Sequence, residues 1–301
     1  QDQTEYSVTF DEPSGTECDI LIVGGGGGGG AGYATSSLSS GGGGAGGLIF
    51  LPNQTIPTGP YTIKVGKGGD GDIPTDPNAP QRGKNGNNSS FSYLQTEAMG
   101  GGGGGSRYGD SNGNEGGSGG GNAFNDTQVN GGTTDGGAGI ITDLIKNDGT
   151  VIISNYRQGY KGGNLIGANN TNNVPRCTGG GGAGGEGFSN YHEPDDSLDA
   201  NGGNGKSFVE YFGTNVGDNG YFAGGGAGGY RDPNSSYGGL GGGGDGLNGL
   251  SGNGLVNTGG GGGGARSFSL GQTNGGKGGS GIVIIRYKYK LQQTPIDIDY
   301  K

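Results

Sequence analysis

The chain lacks tryptophan, and its 301 residues include one histidine, one methionine and two cysteines. Each scarcity excludes something. Hydrophobic residues make up 27% and charged residues 15% of the chain, so an ordinary side-chain core must be small. No apolar run approaches the roughly 20 residues of a membrane span, and no amphipathic helix of useful length is visible. Basic residues number 17 against 27 acidic ones, a net charge of −10. Without a basic stripe to neutralise phosphates, nucleic acid and anionic membrane surfaces are excluded as expected partners.

What the chain has instead is glycine, 85 of them, with 11 prolines. That fraction signals a low-complexity or collagenous chain, but a Gly-X-Y register is absent and the apolar residues gather into strand-like clusters. Ile20-Leu21-Ile22-Val23 leads straight into glycine at 24–30, and further runs fall at 41–44, 100–105, 179–182, 224–226, 241–244 and 259–264. Near the end the order reverses, with Gly278-Gly279-Ser280-Gly281 leading into Ile282-Val283-Ile284-Ile285. Polyproline-II geometry has three residues per turn and no internal hydrogen bonds. Glycine-only versions packed side by side can pair their amides between neighbours, and a seven-residue run spans roughly 22 Å.

Strand patterns frame these runs. Tyr6, Val8 and Phe10 alternate on one face of an N-terminal strand, while Cys18 to Val23 is apolar enough to be buried on both sides. Leu48–Leu51 and Tyr61–Val65 flank a Pro-rich turn and read as a hairpin, and Ser89–Leu94 adds a short strand. Asn147-Asp148-Gly149 between two apolar runs is a second hairpin signal. Phe208–Phe212 reads as a strand, and residues 281–291 alternate Tyr287, Tyr289 and Leu291 against Arg286, Lys288 and Lys290. The tail alternates again, with Ile296, Ile298 and Tyr300 on one face.

The order Asp19-Ile-Leu-Ile-Val-Gly-Gly-Gly, Tyr61-Thr-Ile-Lys-Val-Gly-Lys-Gly-Gly, Asn87-Asn-Ser-Ser-Phe, Ala98-Met-Gly-Gly-Gly-Gly and Gly279-Ser-Gly-Ile-Val-Ile-Ile-Arg-Tyr resembles the glycine-rich domain. That domain occurs in phage and giant-virus fibre proteins, secreted microbial proteins and the ectodomain of the anaplastic lymphoma kinase receptors. The resemblance implies an all-β fold: a small β-sandwich projecting a bundle of polyglycine-II helices, essentially without α-helix. It implies scaffolding, adhesion or ligand docking, and it brings no catalytic residue. It covers roughly residues 18–290, with sandwich strands near 19–24, 47–52, 61–66, 89–94 and 281–290 and a polyglycine insert over 100–280. Residues 1–17 and 291–301 fall outside it as terminal arms.

Candidate chemistry is sparse. Gly-x-Gly-x-x-Gly recurs by composition alone and lacks a following helix to meet a phosphate. Ala200–Ser207 loosely imitates a P-loop, but the strict motif starts with Gly. His192, among Glu193, Asp195 and Asp196, reads as a polar loop. Asp70, Asp72 and Asp76 form an acidic Gly-rich loop that leaves structural calcium open, though no calcium-repeat spacing is present. No cofactor is expected.

Cys18 and Cys177 fit one disulfide in an oxidising compartment, worth roughly 4–5 kcal/mol in the chain-entropy model; the alternative is two free thiols in a reducing one. A chain starting at Gln1 reads either as a mature secreted product or as a segment cut for expression. Glycosylation sequons stand at Asn53, Asn87, Asn88, Asn125, Asn169 and Asn234. Aromatic residues beside glycine, as at Tyr108, Tyr221-Phe222, Tyr230 and Tyr237, either plug bundle edges or stack on sugar rings. The reading is a non-enzymatic extracellular subunit of a fibre or surface layer. Tyr6, Val8 and Phe10 at one end and Ile296, Ile298 and Tyr300 at the other are its candidate subunit contacts. The alternative is an adhesin docking glycan or protein.

Overall fold

A computed structural model of the chain describes residues 4–32, 39–73, 81–106, 111–123, 137–165, 177–189, 200–229, 236–246, 251–266 and 273–287. It is essentially all-β. One sheet has the order β1 (Thr4–Phe10), β4 (Gly59–Val65), β5 (Ser90–Phe91), and the second has the order β10 (Ile282–Tyr287), β2 (Thr16–Val23), β3 (Leu48–Ile56). All pairings in both sheets are antiparallel. Two small ladders complete the set, β6 (Ile141–Ile145) with β7 (Val151–Arg157) and β8 (Lys206–Ser207) with β9 (Tyr221–Phe222).

The expected burial of residues 18–23 on both sides holds, and strand alternation explains it. Cys18, Ile20 and Ile22 point into the sandwich with Ile49, Leu51, Val283 and Ile285, where they meet Phe10, Phe91 and Leu144. Leu21, Val23, Leu48, Ile282 and Ile284 point the other way, against Phe208, Phe222 and Ala223. The second sheet is therefore a middle layer.

The outer cover corrects one expectation. Residues Val209–Phe212 form a single helical turn, not a strand. Phe208, Tyr211 and Phe212 are spaced i, i+3, i+4 and all reach Phe50, with ring centroids 4.8, 4.6 and 6.2 Å away. A strand would have turned Glu210 inward between Phe208 and Phe212. The hairpin at Asn147-Asp148-Gly149 forms as its Asx-Gly signal indicates, with Gly149 at φ +88°.

The terminal arm over residues 1–17 is not separate. β1 pairs with β4 along its whole length, from Thr4 opposite Val65 to Phe10 opposite Gly59. Val8 and Phe10 pack into the sandwich core. The polyglycine bundle also begins earlier than residue 100, because β2 and β4 run directly into it.

Residues 24–30 lie at the bundle's centre. Their amides donate in a repeat of three: 24, 27 and 30 to the carbonyls of 47, 44 and 41; 25 and 28 to 87 and 84; 26 and 29 to 279 and 276. Their carbonyls accept in the same rhythm, from 101 and 104, from 69 and 72, and from 262 and 265. These bonds are 2.8–3.0 Å long. One extended run is thus bonded to six others, antiparallel to those it donates to and parallel to those that donate to it. Residues 41–47 keep the repeat of three, donating to 99–105 and 259–262 in antiparallel sense and to 178–181 in parallel sense. This is the polyglycine-II arrangement, in which a threefold strand carries hydrogen bonds on all sides.

Glycine is required because the neighbours stand where a side chain would begin. A Cβ on Gly27 would lie 2.2 Å from the Gly102 carbonyl oxygen and 2.5 Å from its carbon. Gly27→Ala is expected to destabilise the protein by at least about 3 kcal/mol, the upper range for an overpacked core, or to prevent folding. Gly185→Ala, where a Cβ meets nothing within 4 Å, is expected to stay within about 0.5 kcal/mol of the parent. Thermal unfolding followed by circular dichroism checks both, and equal Tm values would refute this account of the lattice.

Candidate functional site: the open seam of the sandwich

β2 and β4 both run toward the bundle, so their antiparallel partners β10 and β1 both run away from it. β1 ends one sheet and β10 ends the other, and neither has a second strand beside it among the described residues. The two edges border a groove of about 440 Å³, with Thr4 and Tyr6 on one wall and Ile282 and Val283 on the other. Val65, Lys67, Asn257 and Ser280 line it at the bundle end. Tyr6 belongs to the inward-facing set of β1 but lies at the mouth, where it stays 55% exposed. Among the described residues the Lys67 ammonium has a surface ion-pair contact with Asp70 at 3.8 Å, an arrangement worth little.

Of the subunit-contact candidates, Tyr6 is therefore accessible, while Val8 and Phe10 are turned into the core. Ile296, Ile298 and Tyr300 lie outside the described residues. The far end of β10 is closed differently. Arg286 spans the strands to Asp19, donating from Nε at 2.8 Å and from Nη2, and its Nη1 donates to the Tyr211 carbonyl. Its guanidinium carbon also lies 5.5 Å from the Tyr211 ring centroid. Asp19 in turn accepts the Asn53 N–H at 3.0 Å.

The phosphate-binding look-alikes dissolve because their amides are already in use. Those of 202, 203 and 205 donate to the carbonyls of Tyr237, Gly180 and Leu240, and the amides of 24–30 are all in the lattice. Lys206 sits in β8 opposite Phe222, where burial lowers its pKa. The acidic loop does not converge either. Asp70 meets Lys67 and Lys277, whereas Asp72 is buried and accepts the Ser106 hydroxyl at 3.1 Å. Burial raises the Asp72 pKa against that bond. Asp76 and His192 lie outside the described residues, among which no three His, Cys, Asp or Glu side chains form a metal-holding group.

The expected disulfide is not formed. Cys18 and Cys177 are both free and buried. Cys18 sits in β2 opposite Tyr287 and Gln54, whereas Cys177 lies in the bundle, bridged to Ala123 and donating to the Gly229 carbonyl at 2.9 Å. Burial, reinforced by Asp19, pushes the Cys18 thiol up to about 11. Burial alone pushes Cys177 up to about 12, with Arg266 and Ser39 opposing it.

The glycosylation candidates separate in the same way. Asn53 is exposed at φ 53° within β3, and the Pro-rich segment after it carries the chain to the other sheet, so the hairpin expected between 48–51 and 61–65 does not form. Asn88 is used instead: its Oδ1 accepts the Gly100 N–H at 2.9 Å and its Nδ2 donates to Glu97 at 2.7 Å. Asn125, Asn169 and Asn234 lie outside the described residues. Asn88 belongs to a set that sequence reasoning missed. Asn85 and Asn88 accept from Gly103 and Gly100, and Asn201 and Asn204 accept from Tyr237 and Leu240. These side chains terminate the lattice at its rim, and their three-residue spacing beside glycine was the available signal. Of the aromatics, Phe222 is fully buried, whereas Tyr237 is 56% exposed; Tyr108 and Tyr230 lie outside the described residues.

A β-sandwich continued by a hydrogen-bonded polyglycine bundle defines the architecture. The chain belongs to the glycine-rich domain family, whose profile matches residues 3–288. A comparison with curated proteins returns no match.

Both thiols are expected to resist a disulfide-exchange reagent in the native protein at pH 8, and two thiols are expected to titrate in guanidinium without reductant. No reaction in guanidinium would restore the disulfide. Raised thiol pKa values stabilise the fold below the ordinary value of 9.0. That contribution is lost as pH rises toward 11–12, because above 9 the unfolded chain releases protons that the folded chain keeps.

Proposed function

We propose that this protein is a non-enzymatic structural subunit that assembles into an extracellular fibre or surface layer. The observation that carries the reading is the pair of strand edges along one seam, with Tyr6 exposed beside them. An open edge accepts an added strand through main-chain hydrogen bonds, and alternate side chains supply specificity. The body suits load-bearing, since its interior is cross-bonded in every lateral direction. The free thiols remove one argument for secretion, so the extracellular placement leans on the scaffold and on the exposed Asn53 sequon.

Purified protein at rising concentration is expected to form filaments or sheets under negative-stain microscopy. Tyr6→Lys places a charge at the seam and should lower the assembled fraction at least several-fold while leaving Tm unchanged. Protein that stays a monodisperse monomer at high concentration would sink the proposal.

A second reading, glycan docking, draws on one surface feature. Asn201 accepts the Tyr237 N–H on its side chain and the Phe188 N–H on its carbonyl, which sets two exposed aromatic residues around one point. Exposed rings of this kind stack on sugars. A glycan-array signal lost in Tyr237→Ala at unchanged Tm would favour this reading, and an array without signal from the parent would remove it.

A further inference from the structure

The rim asparagines carry a chemical liability, because many of them precede glycine. In an Asn-Gly pair the glycine amide nitrogen can lose its proton and attack the asparagine side-chain carbonyl carbon. An N–C bond forms, the side-chain nitrogen leaves as ammonia, and a cyclic imide results. Water then opens the imide at either carbonyl to give aspartate or isoaspartate, so water is the single co-reactant. Glycine at the second position favours the attack, since it has no side chain to hinder the approach. The chain holds nine such pairs. Asn130-Gly131 and Asn248-Gly249 lie outside the described residues.

In the seven described pairs the attacking nitrogen is already in use. Gly86 donates to the Gly101 carbonyl, Gly113 to the Asn122 side chain, Gly202 to Tyr237 and Gly205 to Leu240. Gly220 donates to Val216, Gly254 to Lys277 and Gly275 to Asp72, and all seven bonds are 2.7–3.0 Å long. In four pairs the asparagine oxygen is tied as well. Asn85 accepts the Gly103 N–H, Asn201 that of Tyr237, Asn204 that of Leu240 and Asn253 that of Lys277. The last three close a ring, because the residue that donates to the asparagine also accepts from the following glycine. Nucleophile and target are then each bound to the same third residue. Asn85, Asn204 and Asn253 are exposed, so water reaches them and burial is not their shield. Asn112, Asn219 and Asn274 differ. Among the described residues their side-chain oxygens accept no bond, and the Asn219 amide group reaches its own neighbour Asp218 at 3.3 Å.

We propose that the bundle protects its Asn-Gly pairs from deamidation through these bonds, and that Asn112, Asn219 and Asn274, tied at one point, are where the folded protein ages first. Isoaspartate lengthens the backbone within runs whose amides pair every third residue, so each conversion at a doubly tied site costs register. The protection holds whether or not the protein assembles.

The test holds the folded parent protein at pH 8 and physiological temperature, with circular dichroism to follow the fold. Samples are digested at acid pH and the conversion of each asparagine is read by mass spectrometry. Synthetic peptides of residues 251–255 and 217–221 give the unprotected rate under the same conditions. One net hydrogen bond makes the reactive arrangement rarer by about fivefold and two by about thirtyfold. Asn85, Asn201, Asn204 and Asn253 are therefore expected to convert at least about thirtyfold more slowly than the peptides, and the other three at least about fivefold more slowly. In guanidinium all seven are expected to convert alike. Conversion of a doubly tied asparagine at the peptide rate, in protein that keeps its native spectrum, overturns the proposal. So do equal rates in the two groups, which would make general rigidity the shield, and a grading that persists in guanidinium, which would make it a property of local sequence.

Discussion

Backbone amides in the interior of this protein have no side chains to separate them and no water to bond to, so each must find a carbonyl on another run. Everything else follows from that requirement. An unpaired buried amide costs about 1–3 kcal/mol, whereas a threefold glycine strand can pair all of its amides if it has neighbours on every side. Residues 24–30 meet the condition by bonding to six other runs. A lattice of this kind substitutes for the large side-chain core that a chain with 27% hydrophobic residues lacks the material to build.

Such a lattice needs a frame and a border. The frame is the middle sheet, whose strands β2 and β10 join the bundle at Gly24 and Gly281 and fix where the glycine runs enter and leave. Its two apolar faces are covered by the opposite sheet and by the aromatic turn around Phe50. The border is asparagine and aspartate. Asn85, Asn88, Asn201, Asn204 and Asn253 accept backbone amides on their side-chain oxygens, and Asp218 takes those of Gly241 and Gly242. These side chains satisfy the amides at the bundle's rim that would otherwise be left without a carbonyl.

The site follows the same division of labour. The amides of 24–30 and of 202, 203 and 205 are used internally, which leaves those motif-like stretches without free donors to cradle a phosphate. Among the described residues β1 and β10 are the terminal strands of their sheets, and both border one groove. The residues nearest that groove come from opposite ends of the chain, Thr4 and Tyr6 from one and Ile282 and Val283 from the other.

Strand positions were legible from periodicity: Tyr6, Val8 and Phe10, the doubly buried 18–23 segment and the Asx-Gly hairpin each carry their own signal. The glycine runs were legible as runs, and the absence of a Cβ already implied close backbone approach. Partners were not. One glycine is chemically identical to the next, so residue 27 has nothing in its sequence to select 44 and 262 over any other glycine; register comes from the strands that frame each run and the asparagines that end it. Tertiary packing likewise decided that β1 belongs to the sandwich and that Phe208–Phe212 wraps Phe50 as a turn. It also set Cys18 and Cys177 in separate interiors as free thiols. In each case the local pattern allowed more than one partner, and the choice rested on contacts between segments far apart in the chain.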